Sequence, residues 1–348
     1  MTEPDASSRS VSATDSLPPV EPPNFGFIVQ LFVVPAVIVG IIVVVWLGFN
    51  WLAQMGGDSS SYVRALEHDN PARWQAAVNL ANALQKPNSR LRKDEKLAQD
   101  LSGVLTSALT TEPKPSLGRD VDSEITLRVY LCRALGKFEV PTGLDALLAA
   151  ATTERNESER PVRRAALEAI AQLIDQTPSG VAPAREKLLA TLDTCSADGD
   201  AGIRGRAAYA LGVLSGESGS TERAVALLDR LLADPSADVR YNAATGLARH
   251  GHVEAIPVLA EMLDPARVQG LDTEPTPAAQ SRKQTIIAAN ALKAADKMAA
   301  AGKVAELEPL RPAIEALAKS ASDAGVRDFA RKLAEKFAET TAEAPAGK

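Results

Sequence analysis

The sequence predicts an all-α fold, a solenoid of about seven helical hairpins following one N-terminal apolar helix. Three observations carry this. Apolar residues make up 45% of the 348 residues and aromatics only 4%. The interior must therefore be built from Ala, Leu and Val, which suits closely spaced helices better than a β-sandwich. An arginine-centred helical pattern recurs at Arg73, Arg128, Arg163, Arg204 and Arg240, and repetition at such intervals marks stacked supersecondary units. Finally, the stretch from Leu31 to Phe49 carries no charge.

Residues 1–24 combine Ser, Thr, Pro and acids with almost no large apolar side chain. Such a segment cannot bury enough surface to fold and is expected to be a disordered tail. Residues 25–55 are expected to form a transmembrane helix. At 1.5 Å per residue the uncharged core spans about 28 Å, close to the ~30 Å hydrocarbon layer of a bilayer. Trp46 and Trp51 sit toward one end, where interfacial aromatics belong, and Pro35 is tolerated as a local bend. A cleaved signal peptide needs a basic leader and a shorter apolar stretch, whereas this leader is acidic and Pro-rich. The expectation is a single-pass anchor. Arg9 before the span, against Arg64 and Arg73 after it, leans toward a cytoplasmic C-terminal body.

The body covers residues 58–338, with 339–348 expected to be a disordered tail. In "ADVRYNAATGLARHG", Ala237 to Gly251, a step of 100° per residue puts Val239, Ala243, Ala244 and Leu247 on one arc together with Arg240. Tyr241, Asn242, Thr245 and Arg249 take the other side. An arginine on the packed arc must find a carboxylate or carbonyls, because stripping a buried charge of its partner costs roughly 3–5 kcal/mol. The same pattern, an arginine followed seven positions later by Leu or Ile, stands at Arg73, Arg128, Arg163 and Arg204. A sixth copy has Thr285 in place of the arginine, and a seventh keeps Arg327 but has Ala334 at the apolar position. Four positions before the arginine stand Asp69, Glu124, Glu159, Asp200 and Asp323, with Ser236 in the Arg240 copy. These acids are expected to neutralise the guanidinium groups and to cap the helix starts. Exposed i,i+4 pairs would not explain why arginine stays on the apolar arc. Between these helices runs a second amphipathic series, from "LAQDLSGVLTSAL" to "LRPAIEALAKSA", punctuated by Pro, Gly, Asp and Asn, so the chain reads as a train of helical hairpins.

The Asp-x-x-x-Arg element followed by Ala-Ala-x-x-Leu, as in "DGDAGIRGRAAYALGVL" and "DPSADVRYNAATGLARHG", resembles HEAT repeats, particularly the short bacterial kind related to phycobilisome-lyase HEAT-like repeats. The resemblance covers about 58–338 and is strongest at 159–263. It implies Asp–Arg ladders between successive repeats, and second helices that line a concave, partner-binding surface. The ladder positions are then the acids and arginines just named, and Thr285 interrupts the ladder before the last two repeats.

Little in the sequence is suited to catalysis. The three histidines are His68, His250 and His252. His250-Gly251-His252 reads as a turn, since zinc takes three or four protein ligands. Cys132 and Cys195 stand far apart, each in a helical pattern, and read as buried thiols. No phosphate loop, nucleophile elbow or paired CxxC is present. Net charge is −6, but the segment up to Met55 holds Glu3, Asp5, Asp15 and Glu21 against Arg9, which leaves the body nearly neutral. Nucleic-acid binding calls for a concentrated basic field, and "RLRKDEK" from Arg90 is diluted by acids, which makes it a solvated face. Asn156-Glu157-Ser158 matches a glycosylation triplet, and Pro265 to Ser281 reads as a long connecting loop.

The expectation is a membrane-anchored, non-catalytic scaffold with a protein partner, no cofactor, no nucleic acid and no small-molecule substrate. The bilayer is reached through 25–55. The partner surface is expected at Tyr130, Arg133, Glu168, Gln172, Arg206, Tyr209, Asn242, Thr245 and Arg249. The alternatives are an enzyme or cofactor-handling protein of the HEAT-like lyase type, and a nucleic-acid-binding solenoid.

Overall fold

A computed structural model describes residues 25–55, 59–67, 73–111, 121–153, 159–216, 221–266, 269–271 and 273–343. Residues 1–24, Asp69, Asn156-Glu157-Ser158 and 344–348 lie outside that set. The chain divides into two compact units, Met1–Asp58 and Ser59–Lys348.

In the first unit α1 (Phe25–Ile28) leads through a π-helical turn, Val29–Val33, into α2 (Val34–Met55). Pro35 explains the turn. It has no N–H for the carbonyl of Leu31 and its ring crowds that carbonyl, so the helix widens just upstream. The stretch Val29–Gly48 has a mean hydropathy of 2.9 over 20 residues and none of it is buried. It is long and apolar enough to cross a membrane.

The second unit is an all-α solenoid with no strand among the described residues. Its helices are α3 (Ser59–Glu67), α4 (Arg73–Gln85), α5 (Glu95–Thr110), α6 (Val121–Leu135), α7 (Leu144–Ala151), α8 (Arg160–Gln176), the single turn α9 (Pro178–Val181), α10 (Arg185–Ser196), α11 (Ala201–Leu214), α12 (Thr221–Leu231), α13 (Ala237–Ala248), α14 (Ile256–Leu263), α15 (Pro277–Ala300), α16 (Arg311–Ser320) and α17 (Ala324–Glu343). They pair as hairpins: α3/α4, α5/α6, α7/α8, α10/α11, α12/α13, α14/α15 and α16/α17. The second helix of each hairpin carries the arginine position, and these helices stack on one another in sequence as one layer. The first helices form the other layer, in which α3, α5, α7, α10 and α12 touch in turn and α14 touches α16. These contacts are far sparser than those among the arginine helices from α4 to α13.

The difference has a cause in the sequence. A Cβ added at Gly212 of α11 would lie 2.7 Å from the Cα of Gly246 in α13, and one at Gly136 would lie 2.6 Å from the Cα of Ala169 in α8. Backbones meet there because no side chain intervenes. The core is correspondingly a continuous band of Ala and Leu, with Phe138 and Phe337 among its few aromatics.

Several boundaries differ from the sequence expectation. The connection after Pro265 ends ahead of Ser281, because Pro277 starts α15 and the Thr276 hydroxyl accepts the Ala279 N–H at 3.2 Å. α17 runs to Glu343, beyond residue 338. Tyr241 does not face solvent with Arg249. It is buried, and its hydroxyl donates to Glu261 at 3.0 Å, because α14 packs against that side of α13.

Candidate protein-binding face

The arginines are held by one recurrent arrangement. Arg204 donates through Nη1 to the carbonyls of Asp198 and Gly199, at 2.9 and 3.2 Å. Arg240 does the same to Asp234 and Pro235, at 2.8 and 3.2 Å, and Arg327 to Ala321 and Ser322. In each case the acceptors lie six and five positions upstream, in the turn that ends the first helix of the same hairpin. Arg163 and Arg128 reach the ends of α7 and α5 instead, at the carbonyls of Ala151 (3.1 Å) and Ala108 (3.4 Å). Helix C-termini expose unpaired carbonyls and the negative end of the dipole, so a guanidinium is well matched to them.

The charge is neutralised by the next repeat and not by the arginine's own helix. Arg73 approaches Glu124 at 3.7 Å, and Arg128 meets Glu159 at 2.6 Å with both side chains at most 3% exposed. Arg163 bonds to Asp198. Arg204 grips Asp234 with two bonds of 2.7 and 2.9 Å. This corrects the expected pairing with the acid four positions upstream. Asp200 and Asp323 use that position to cap their helices, accepting the N–H groups of Ile203 (2.9 Å) and Val326 (3.0 Å), and Asp200 also takes Arg164 of the preceding repeat at 2.6 Å. Arg240 likewise reaches the next hairpin, bonding to Glu261 within α14 and not in the turn that follows it, and it also bonds to Gln269 at 2.8 Å. Burial raises the Asp234 carboxyl, but the Arg204 hydrogen bonds, the Ser236 N–H and the charges of Arg204 and Arg240 outweigh it and hold the pKa below the ordinary range. The Asp234 bond in turn raises the Arg204 pKa.

Of the surface residues, Arg133, Tyr209 and Arg249 are exposed, Tyr209 by 43%. Tyr130, Glu168, Gln172, Arg206, Asn242 and Thr245 are half-buried. Arg133 lies over the Tyr130 ring at 5.0 Å. Arg206 of α11 pairs with Glu168 of α8 at 2.5 Å, and Asn242 of α13 donates to the Gly205 carbonyl of α11 at 3.0 Å. Thr245 bonds back to the Tyr241 carbonyl at 2.9 Å. These side chains therefore form a polar strip tied across α8, α11 and α13, with Tyr209 projecting from it.

Sequence reasoning missed Arg92. It stands in the supposed solvated run but bonds to the Lys137 carbonyl (3.0 Å), Gln176 Oε1 (2.6 Å) and Glu139 (3.3 Å). A 3₁₀ turn at Arg90–Lys93 aims it inward, a direction that helical periodicity does not reveal. His250 and His252 flank Gly251, whose φ of +78° marks the turn. No group of three metal-type side chains occurs among the described residues. Cys132 and Cys195 are free and buried, and burial pushes their thiols up to about 12 and about 11.

The family model described as HEAT repeats matches residues 185–270. That HEAT-repeat segment runs from α10 into the connection after α14 and contains Arg204, Asp234 and Arg240. A designed armadillo repeat protein, YIII(Dq)4CqI, is similar with a TM-score of 0.41 at 18% identity, over 74% of this chain and 98% of its own. An engineered protein gives 0.37 at 17%, over 81% and 97%. A designed armadillo repeat protein in complex with the peptide (KR)4 gives 0.36 at 15%, over 80% and 98%. No curated protein matches the sequence.

Proposed function

We propose that the protein is a membrane-tethered scaffold that binds a protein partner along the layer of arginine helices. One observation carries this reading. The arginine helices stack backbone to backbone at Gly212/Gly246, and the turn just past α6 meets α8 in the same way at Gly136/Ala169, whereas the other layer touches sparsely. Close spacing in one layer and wide spacing in the other bends a solenoid toward the close layer, and the concave sides of such stacks are extended binding surfaces. The polar strip with Tyr209 at its edge lies on that layer, and exposed aromatics and arginines are the side chains that anchor interfaces.

The apolar helix Val29–Gly48 supports tethering, and the Arg9, Arg64 and Arg73 distribution supports a cytoplasmic body. The Asp-x-x-x-Arg and Ala-Ala-x-x-Leu elements at 159–263 support the short bacterial subtype of HEAT repeat. The near-neutral body disfavours nucleic acid.

The test is photocrosslinking in native membranes, with a benzophenone amino acid placed at Tyr209 on the proposed face or at Ala190 on α10 of the other layer. A single defined protein joined through position 209 and not through 190 supports the reading. Equal, diffuse labelling from both positions contradicts it.

A further inference from the structure

The sixth repeat departs from the arrangement that the others share. Its arginine position is Thr285, whose hydroxyl donates to the Ser281 carbonyl at 3.0 Å. The nearby Lys283 turns back to Asp238 (3.0 Å), the Gly270 carbonyl (2.7 Å) and Glu274 (3.5 Å). The acid facing this position is also replaced. Ala321 stands six positions before Arg327, as Asp198 and Asp234 stand six before Arg204 and Arg240.

A cleft of about 220 Å³ lies at this place. It is lined by the end of α14 from Met262 to Pro265, the face of α15 at Gln284, Thr285 and Ala288, and the end of α16 through Asp323, with Val326 of α17 closing one side. The first three of these correspond to the elements that enclose Arg204: the end of its own first helix, the arginine helix, and the end of the next first helix. The turn is repeated as well, since Asp264-Pro265 is the dipeptide found at Asp234-Pro235, whose carbonyls bind Arg240; at the sixth repeat the Pro265 carbonyl accepts the Gln284 side-chain amide at 2.7 Å, the place Arg240 fills one repeat earlier. Asp264 and Asp323 are exposed at the mouth. Their carboxylates accept backbone N–H groups of Ala266 and Val326, and neither pairs with a cationic side chain among the described residues. Arg327 beyond them is engaged by the carbonyls of Ala321 and Ser322. A second guanidinium beside it would repeat the way Arg204 and Arg240 adjoin at Asp234, one on its carboxylate and the other on its carbonyl.

We propose that this cleft receives an arginine side chain of a protein partner. Its stem would lie against Leu263, Leu317 and Val326, and its guanidinium between the Asp264-Pro265 turn and Asp323. Arginine suits such a place because an apolar stem and a planar fork of donors are carried on one side chain. This inference rests on the scaffold reading and specifies a chemical group of the partner.

The test uses the detergent-solubilised full chain and N-acetyl-arginine amide as probe, followed through methyl NMR signals. The proposal expects saturable shifts at Leu263, Leu317 and Val326, with no response to the uncharged isostere N-acetyl-citrulline amide. Asp323→Asn should weaken binding about tenfold, as loss of a charge-assisted hydrogen bond does. The double variant T285R/A321D should supply the missing pair from within the chain and abolish the response. Equal shifts with both probes, no shifts, or unchanged binding by both variants would overturn it. The scaffold reading fails separately, if position 209 crosslinks nothing specific while the arginine probe still binds.

Discussion

Arg128 and Glu159 are the most secluded ion pair of the ladder, and Arg128 Nε and Glu159 Oε2 are buried without a hydrogen-bond partner. Burial of two charges costs several kcal/mol and is recovered through their mutual contact and the bond from Arg128 to the Ala108 carbonyl. Arg128→Ala should therefore cost roughly 3–5 kcal/mol, because Glu159 is left alone in the interior, whereas Arg128→Met with Glu159→Leu should lose far less. Denaturant unfolding of the three proteins checks this, and equal losses in the single and double variants would refute it. Arg249→Ala, at an exposed end of α13, should stay within about 0.5 kcal/mol of the parent. At this scale the arginine positions were legible because a charge recurring on an apolar arc is visible in one helix. Their partners were not. The carboxylate for Arg204 lies 30 residues ahead, and nothing local distinguishes Asp234 from Asp200, which caps its own helix start and takes Arg164 instead of a ladder arginine.

Single elements owe their packing to where side chains are missing. Gly212→Ala would place a Cβ 2.7 Å from the backbone of Gly246, and overpacking of this kind costs about 1–3 kcal/mol. Gly103 sits inside α5, where an added Cβ meets nothing within 4 Å. There the same change should stabilise by roughly 0.5–1 kcal/mol, since glycine weakens a helix interior. Thermal unfolding of G212A and G103A should shift in opposite directions, and a shared direction would refute the close-approach argument. The hairpins themselves were readable from periodicity and from Pro, Gly and Asp punctuation. The inward turn of Arg92 and the enclosure of Tyr241 were not, because both depend on which helices pack alongside.

Across the whole molecule the repeats form a linear stack in which each contacts its neighbours, so stability is a sum of repeat and interface contributions. Two sets of groups make that sum pH-dependent. Burial, chiefly, lowers the His250 pKa against the Gly212 carbonyl at 3.4 Å, so the unfolded chain binds the proton more readily. Stability is then retained above about pH 6.5 and lost as pH falls through that region. Asp200 and Asp234 are held below their ordinary range, and their contribution is present above about pH 4 and lost in acid. A pH series of unfolding midpoints should show a shallow step that His250→Gln removes and a steeper one that it leaves. The solenoid and its repeat register were legible in the sequence, whereas the cleft at Thr285 became visible only when the ends of α14 and α16 were brought together. The central claim is that each guanidinium from Arg73 to Arg240 couples its repeat to the next. A double-mutant cycle on Arg204 and Asp234 in global unfolding tests it most directly. The account predicts a coupling of at least about 1 kcal/mol, and losses that add within about 0.5 kcal/mol would contradict it.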